Sequence, residues 1–110
     1  MDSLSHLKPV NLWTLFENIC AIPHPSKHEA KLSFWIQQWA QEQGLSVTED
    51  SVGNLILKKP ASRGMENRKG VIFQAHMDMV PQKNNNIEHD FLVDSIKPHI
   101  IDYIDGKASA

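Results

Sequence analysis

The stretch that decides the fold is SKHEAKLSFWIQQWAQEQG, residues 26–44. Its large apolar side chains recur at i, i+3, i+4 and i+7, which places them on one face of a helix: Leu32, Trp35, Ile36 and Trp39. Ser26 and Glu29 have the spacing of a capping box, in which each side chain satisfies a backbone N–H of the first turn. Gly44 supplies the left-handed residue that commonly ends a helix. The pattern predicts a helix over Lys27–Gln43.

A second amphipathic segment precedes this helix. The same apolar spacing predicts a helix over Asn11–Ala21, with Asn11 as its N-cap. Pro23 and Pro25 end it, because proline cannot continue a helix and favours extended backbone before it. The sequence therefore predicts two N-terminal helices joined by an extended connection.

Three short runs after the helices are typical of strands. Residues 45–48 alternate apolar and polar side chains, and residues 55–57 are apolar beyond a turn at 50–54. Residues 71–75, Val-Ile-Phe-Gln-Ala, predict a strand buried on both faces of a parallel or mixed sheet. The last twenty residues carry no pattern that assigns a structure. The expected fold is α/β, with the two helices packed on a mixed β-sheet of three or more strands.

Composition limits the classes of protein to which the chain can belong. Its 110 residues are 41% hydrophobic and 22% charged, as in an ordinary globular domain. A net charge of −2 argues against a nucleic-acid partner held by a basic face. The longest apolar run is four residues, too short for a membrane span or a secretory signal. One cysteine excludes an internal disulfide, so a reduced, cytoplasmic setting is expected.

Two residues that could carry out chemistry directly follow the run at residues 71–75. His76 and Asp78 lie at its carboxyl end, where ligand sites of α/β proteins gather. A neutral His76 can offer one ring nitrogen to zinc, and its other ring N–H then needs a carboxylate or carbonyl partner. Asp78 is two residues away and points to the same side of an extended chain. These two residues are the candidate metal ligand and its orienting carboxylate.

Interpretations without a metal or a substrate also stay open. A His-x-Asp pair is common by chance, and spacing alone does not separate a metal ligand from a hydrogen-bonded pair at the end of a strand. His24, between two prolines, can present its ring to a substrate or fill a turn, and the turn is the more frequent role.

Seven stretches together give the chain a family resemblance. They are IPHPS at 22–26, HE at 28–29, VGN at 52–54, KPA at 59–61, GMENRK at 64–69, QAHMDMVPQKN at 74–84 and HDF at 89–91. In these stretches the chain resembles the aminoacyl-histidine dipeptidases, also called cytosol non-specific dipeptidases, of the M20 metallopeptidases. The resemblance runs from about residue 12 to residue 94 and is much more specific than a His-x-Asp pair.

The resemblance implies a fold, a reaction and a cofactor. It implies that residues 1–110 are the N-terminal part of a zinc-aminopeptidase-like catalytic domain that hydrolyses dipeptides, including those with C-terminal histidine. The family's counterpart of His76 binds one of two zinc ions, and the counterpart of Asp78 supports that histidine. In the family, a water that bridges the metals attacks the peptide bond, and a glutamate takes its proton.

Family members are several times longer, and their bridging aspartate and general-base glutamate lie beyond the region that this sequence matches. The resemblance therefore implies an incomplete domain that is inactive alone, because one histidine and its supporting carboxylate cannot hold two zinc ions. The alternative is a non-catalytic remnant or a partner-binding module. Its motivation is the strand predicted at residues 71–75, because few other strands are available to pair with it and self-association through an exposed sheet edge is then expected.

Overall fold

Two α-helices and four short strands make up the regular structure of the described part of the chain. The structure is a computed structural model, and it describes residues 3–104 and 107–109. After a 3₁₀ turn at Leu4–His6, the elements are α1 (Val10–Ala21), α2 (Ala30–Glu42), β1 (Ser46–Glu49), β2 (Leu55–Lys58), β3 (Asp102–Ile104) and β4 (Lys107–Ser109). The predicted α/β class with two N-terminal helices is confirmed.

The N-terminal end of α2 differs from the prediction. The helix starts at Ala30 rather than Lys27, because Lys27 has a left-handed backbone with φ of 73°. Its N-cap is Glu29, whose side chain accepts a hydrogen bond from the backbone N–H of Lys27 at 2.7 Å. The predicted capping box is wrong, because the hydroxyl of Ser26 donates to a distant carboxylate instead.

Helix α2 ends at Glu42, one residue before the predicted Gln43, and Gly44 follows it with the predicted left-handed backbone. Gly44 has φ of +75°, and the backbone N–H of Leu45 donates to the carbonyl of Ala40 at 2.9 Å. A left-handed residue here lets the chain reverse while it satisfies a carbonyl of the last turn. The reversal sends the chain into β1, and α2 contacts both strands of the hairpin that follows.

Helix α1 begins one residue earlier than predicted and has no side-chain cap. Its N-cap is Pro9, so Asn11 lies inside the first turn and its predicted capping role is wrong. The helix packs against the 3₁₀ turn, where Leu4 and Leu7 are buried. Leu12 keeps 58% of its surface exposed, so the apolar face of α1 is only partly covered.

Strands β1 and β2 form an antiparallel hairpin in which Val47 pairs with Leu57 and Glu49 with Leu55. The turn between them is held by Asp50, whose Oδ1 accepts from the backbone N–H groups of Val52 and Asn54. The sheet that α2 contacts is thus two-stranded and antiparallel, where a mixed sheet was expected. Strands β3 and β4 form a second antiparallel hairpin.

The strand predicted at residues 71–75 is not formed. Within the described residues this segment has no backbone hydrogen bond and no regular secondary structure. Val71, Ile72 and Phe73 expose 75%, 95% and 94% of their surface, so the predicted burial on both faces is wrong. Apolar side chains are buried only when another element covers them, and no described element lies against this segment.

The buried core is small for a chain of this length. Among the residues whose burial the structure describes, 3–101, five hydrophobic residues are buried, namely Leu4, Leu7, Cys20, Leu32 and Ala40. The radius of gyration is 16.9 Å, whereas a compact domain of this length has about 13 Å. Among the residues described, no helix has both the length and the apolar character needed to span a membrane.

Candidate functional site

The site is built where two segments far apart in sequence run side by side. Pro25 and Met79 form a parallel bridge. The backbone N–H of Met79 donates to the carbonyl of His24 at 3.0 Å, and that of Ser26 donates to the carbonyl of Met79 at 3.1 Å. The two prolines favour extended backbone at this point, which leaves the segment able to pair in this way. The bridge brings the loop before α2 beside Asp78.

The ring of His76 is held by its neighbour Asp78. Its Nδ1 lies 2.9 Å from the backbone carbonyl oxygen of Asp78 and 2.9 Å from the carboxylate Oδ1. Both oxygens can only accept a hydrogen bond, so Nδ1 must carry the proton. In the neutral ring Nε2 then keeps its lone pair. The side chain of His76 is 79% exposed, so this lone pair is accessible from solvent.

The carboxylate of Asp78 has a second partner from the opposite segment. The hydroxyl of Ser26 donates to Oδ2 at 2.6 Å, so each carboxylate oxygen accepts one side-chain hydrogen bond. The hydroxyl of Ser26, and after it the ring of His76, lower the pKa of Asp78 from its ordinary value because both hydrogen bonds favour the ionised form. Asp78 is therefore an acceptor at neutral pH.

The neighbouring histidine has a different role. His24 is buried, with 8% of its surface exposed, and its Nδ1 lies 2.6 Å from the carbonyl oxygen of Ile22. A carbonyl accepts, so Nδ1 donates and the ring closes the local turn. The turn-filling interpretation of His24 is the one that fits.

His76 and Asp78 border an open cavity with a volume of about 1190 Å³. Its walls come from α2, from the hairpin of β1 and β2, and from residues 74–79. Apolar side chains of α2, among them Leu32, Phe34 and Ile36, face it.

The residues fit one ligand position of a zinc site. An imidazole with a protonated, hydrogen-bonded Nδ1 and a free Nε2 is the usual state of a zinc-ligating histidine. Across residues 3–104 and 107–109, no group of three or more histidine, cysteine, aspartate or glutamate side chains lies close enough to hold a metal ion. Within the described residues, His76 could hold a metal ion through Nε2, with the carboxylate of Asp78 hydrogen-bonded to its other ring nitrogen.

Ser26 is the member of this site that sequence reasoning missed. The local pattern predicts a helix-capping role for Ser26, which lies 52 residues from Asp78 along the chain. Spacing carries no signal for a contact at that distance. The IPHPS stretch to which Ser26 belongs was noted only as part of the family resemblance.

No family model matches the chain. The cytosol non-specific dipeptidase of Escherichia coli is 55% identical over 107 residues, which cover 97% of this chain and 21% of that protein. The crystal structure of the aminoacylhistidine dipeptidase from Vibrio alginolyticus superposes with a TM-score of 0.81 at 52% identity, covering 98% of this chain and 22% of that one. The chain spans about a fifth of the length of these relatives.

Proposed function

We infer that the chain belongs to the cytosol non-specific dipeptidases, the aminoacyl-histidine dipeptidases of the M20 metallopeptidases. Residues 1–110 then form the N-terminal part of the catalytic domain of a cytoplasmic enzyme that hydrolyses dipeptides, including those with C-terminal histidine. The identity extends over nearly the whole chain, and the backbone superposes on a solved dipeptidase over the same length. Sequence identity and backbone fold thus point to the same family.

The observation that carries the proposal is the pair of acceptor oxygens of Asp78 at Nδ1 of His76. Two acceptors of Asp78 hold the Nδ1 proton, which leaves the exposed Nε2 as a ligand for zinc. Bound zinc would polarise the carbonyl of a dipeptide as a Lewis acid. Asp78 acts on the ring and not on the substrate: it fixes the orientation of His76 and increases the basicity of Nε2.

The 110 residues alone are expected to show no dipeptidase turnover. His76 offers a single ligand, whereas catalytic zinc sites use three protein ligands and an open position. A chimera in which this chain replaces the 107 matched residues of the E. coli dipeptidase is expected to hydrolyse a Xaa-His dipeptide within about tenfold of the parent, an allowance of about 1.4 kcal/mol in the activation barrier.

The test is a comparison of zinc-dependent hydrolysis by the chain, the chimera and the parent enzyme at equal concentration. Circular dichroism of each protein controls for folding. Turnover by the isolated chain at an ordinary enzymatic rate would contradict the claim that essential groups are missing. A folded chimera without activity would contradict the proposed function.

We also propose that the isolated chain associates with itself through residues 71–75. This segment is uncharged, exposes Ile72 and Phe73 almost completely, and leaves its backbone groups without partners among the described residues. An exposed, apolar, extended segment is a template for pairing with another chain. This surface is also the feature that favours the alternative function, a partner-binding module.

Phe73→Lys is expected to weaken this association by about tenfold or more, since a buried phenylalanine contributes about 1.5–3 kcal/mol. Sedimentation velocity over a range of concentrations measures the effect. Val52→Lys is the matched control, because Val52 is 81% exposed in the turn between β1 and β2 and is not part of the segment 71–75. A wild-type chain that stays monomeric at all concentrations would rule out the proposal.

A further inference from the structure

Among the described residues, the Asp78 carboxylate is the group that links the two segments of the site through side chains. Oδ1 accepts from His76, which is two residues away, and Oδ2 accepts from Ser26, which is 52 residues away. The side chain of Asp78 is 34% exposed, so water competes for both oxygens. The orientation of this carboxylate therefore depends on what holds it.

Rotation of an aspartate carboxylate is only weakly restricted by its own torsion, because the sp³–sp² bond has broad, shallow minima. A hydrogen bond to one oxygen leaves the group free to swing about that contact. A donor on the second oxygen removes this freedom. Ser26 supplies this second donor. The backbone bridge between Pro25 and Met79 fixes the position of the Ser26 Cα relative to Asp78.

We propose that Ser26 is a positioning residue for His76, whose hydroxyl holds Oδ2 of Asp78 so that Oδ1 faces Nδ1–H of the ring and Nε2 is presented to the metal. This proposal rests on the proposed function for the identity of the metal, but its geometry belongs to this chain alone. Ser26 acts through Asp78 and touches neither the metal nor a substrate.

A purely structural role for Ser26 makes a different prediction. If the hydroxyl only fastened the two segments together, its loss would loosen the backbone bridge and leave the ring tautomer unchanged. If Ser26 positions the ring, its loss changes the tautomer while the bridge persists. The backbone N–H groups of Ser26 and Met79 report the bridge separately, because each donates across it.

The experiment measures the tautomer of His76 by ¹⁵N NMR of the full 110-residue chain labelled in histidine. The spectra are recorded at a pH of about 8.5, which is well above the ordinary pKa of free histidine, about 6.5. The His76 signal is the one that disappears in His76→Ala. We expect the Nδ1–H tautomer to dominate in the wild type and the ratio of Nδ1–H to Nε2–H to fall about fivefold in Ser26→Ala, the factor for one ordinary hydrogen bond.

Ser26→Thr keeps the hydroxyl and is expected to retain the wild-type ratio. Ser51→Ala, in the exposed turn after β1, is expected to leave the ratio unchanged. If Ser26→Ala also opens the backbone bridge, Ser26→Cys decides, because its thiol fills the same space with a much weaker donor. An unchanged ratio in Ser26→Ala with the bridge intact, or in Ser26→Cys, overturns the proposal.

The positioning role and the proposed function fail separately. The tautomer ratio is measured without metal or substrate, so it tests Ser26 even if the chain is not part of a dipeptidase. The activity of the chimera tests the dipeptidase assignment even if the tautomer does not depend on Ser26.

Discussion

In the chimera with the E. coli dipeptidase, His76→Ala is expected to lower kcat/KM for a Xaa-His dipeptide by at least about 1,000-fold. Metal activation of a carbonyl contributes several kcal/mol to stabilising the transition state, and about 1.4 kcal/mol corresponds to a tenfold change in rate. Loss of the Nε2 ligand removes this contribution at the substituted site. The zinc content per chain, measured by atomic absorption, is expected to fall by about one ion.

Asp78→Asn provides a graded comparison in the same protein. Asparagine keeps the shape of the side chain but loses the negative charge, so the ring of His76 is less firmly held and less basic. Partners that orient a metal ligand typically contribute 10- to 100-fold, so an effect of about that size is expected. The loss of activity is expected to be larger in His76→Ala than in Asp78→Asn. The reason is that His76 would bind the metal directly, whereas Asp78 would act only through the ring of His76.

His99→Ala is the matched control, because His99 is exposed and makes no side-chain hydrogen bond within residues 3–104 and 107–109. It is expected to keep the activity of the chimera. If His76→Ala retains more than about a tenth of the chimera's activity, a difference of less than about 1.4 kcal/mol in the barrier, the ligand assignment is wrong. Equal losses for His76→Ala and His99→Ala would point to misfolding rather than to the loss of a ligand.

Leu32→Ala is expected to destabilise the chain by about 2–5 kcal/mol, as truncation of a buried leucine leaves a cavity. Leu32 is 2% exposed on α2 and is one of five buried hydrophobic residues within residues 3–101. Ordinary domains have unfolding free energies of about 5–15 kcal/mol, and a core this small places the chain at or below the low end. Leu32→Ala should therefore leave a large fraction of the chain unfolded.

Phe34→Ala on the same helix is the control, because Phe34 is 62% exposed and its removal creates no cavity. Urea unfolding followed by tryptophan fluorescence suits the comparison, since Trp35 and Trp39 lie on α2 itself. Similar losses of unfolding free energy in the two variants would contradict the inferred core.

Local features of this protein could be predicted from the sequence because the interactions that produce them are local. The apolar spacing of α2 and the left-handed Gly44 at its end concern residues within one or two turns of each other. The pairing of His76 with Asp78 is also local, because the two residues are only two positions apart. Sequence spacing alone therefore indicates which carboxylate faces the ring.

The tertiary structure alone decided the role of Ser26 and the state of residues 71–75. Ser26 satisfied the local rule for a helix cap, but the chain path brings its hydroxyl to Asp78, and this stronger, charged acceptor takes the hydrogen bond. Residues 71–75 have the composition of a buried strand, but a strand is formed only when a neighbour pairs with its backbone, and the described part of the chain places none there. Residue type and spacing encode what a side chain can do, whereas its actual partner depends on which distant segment the fold brings within hydrogen-bonding distance.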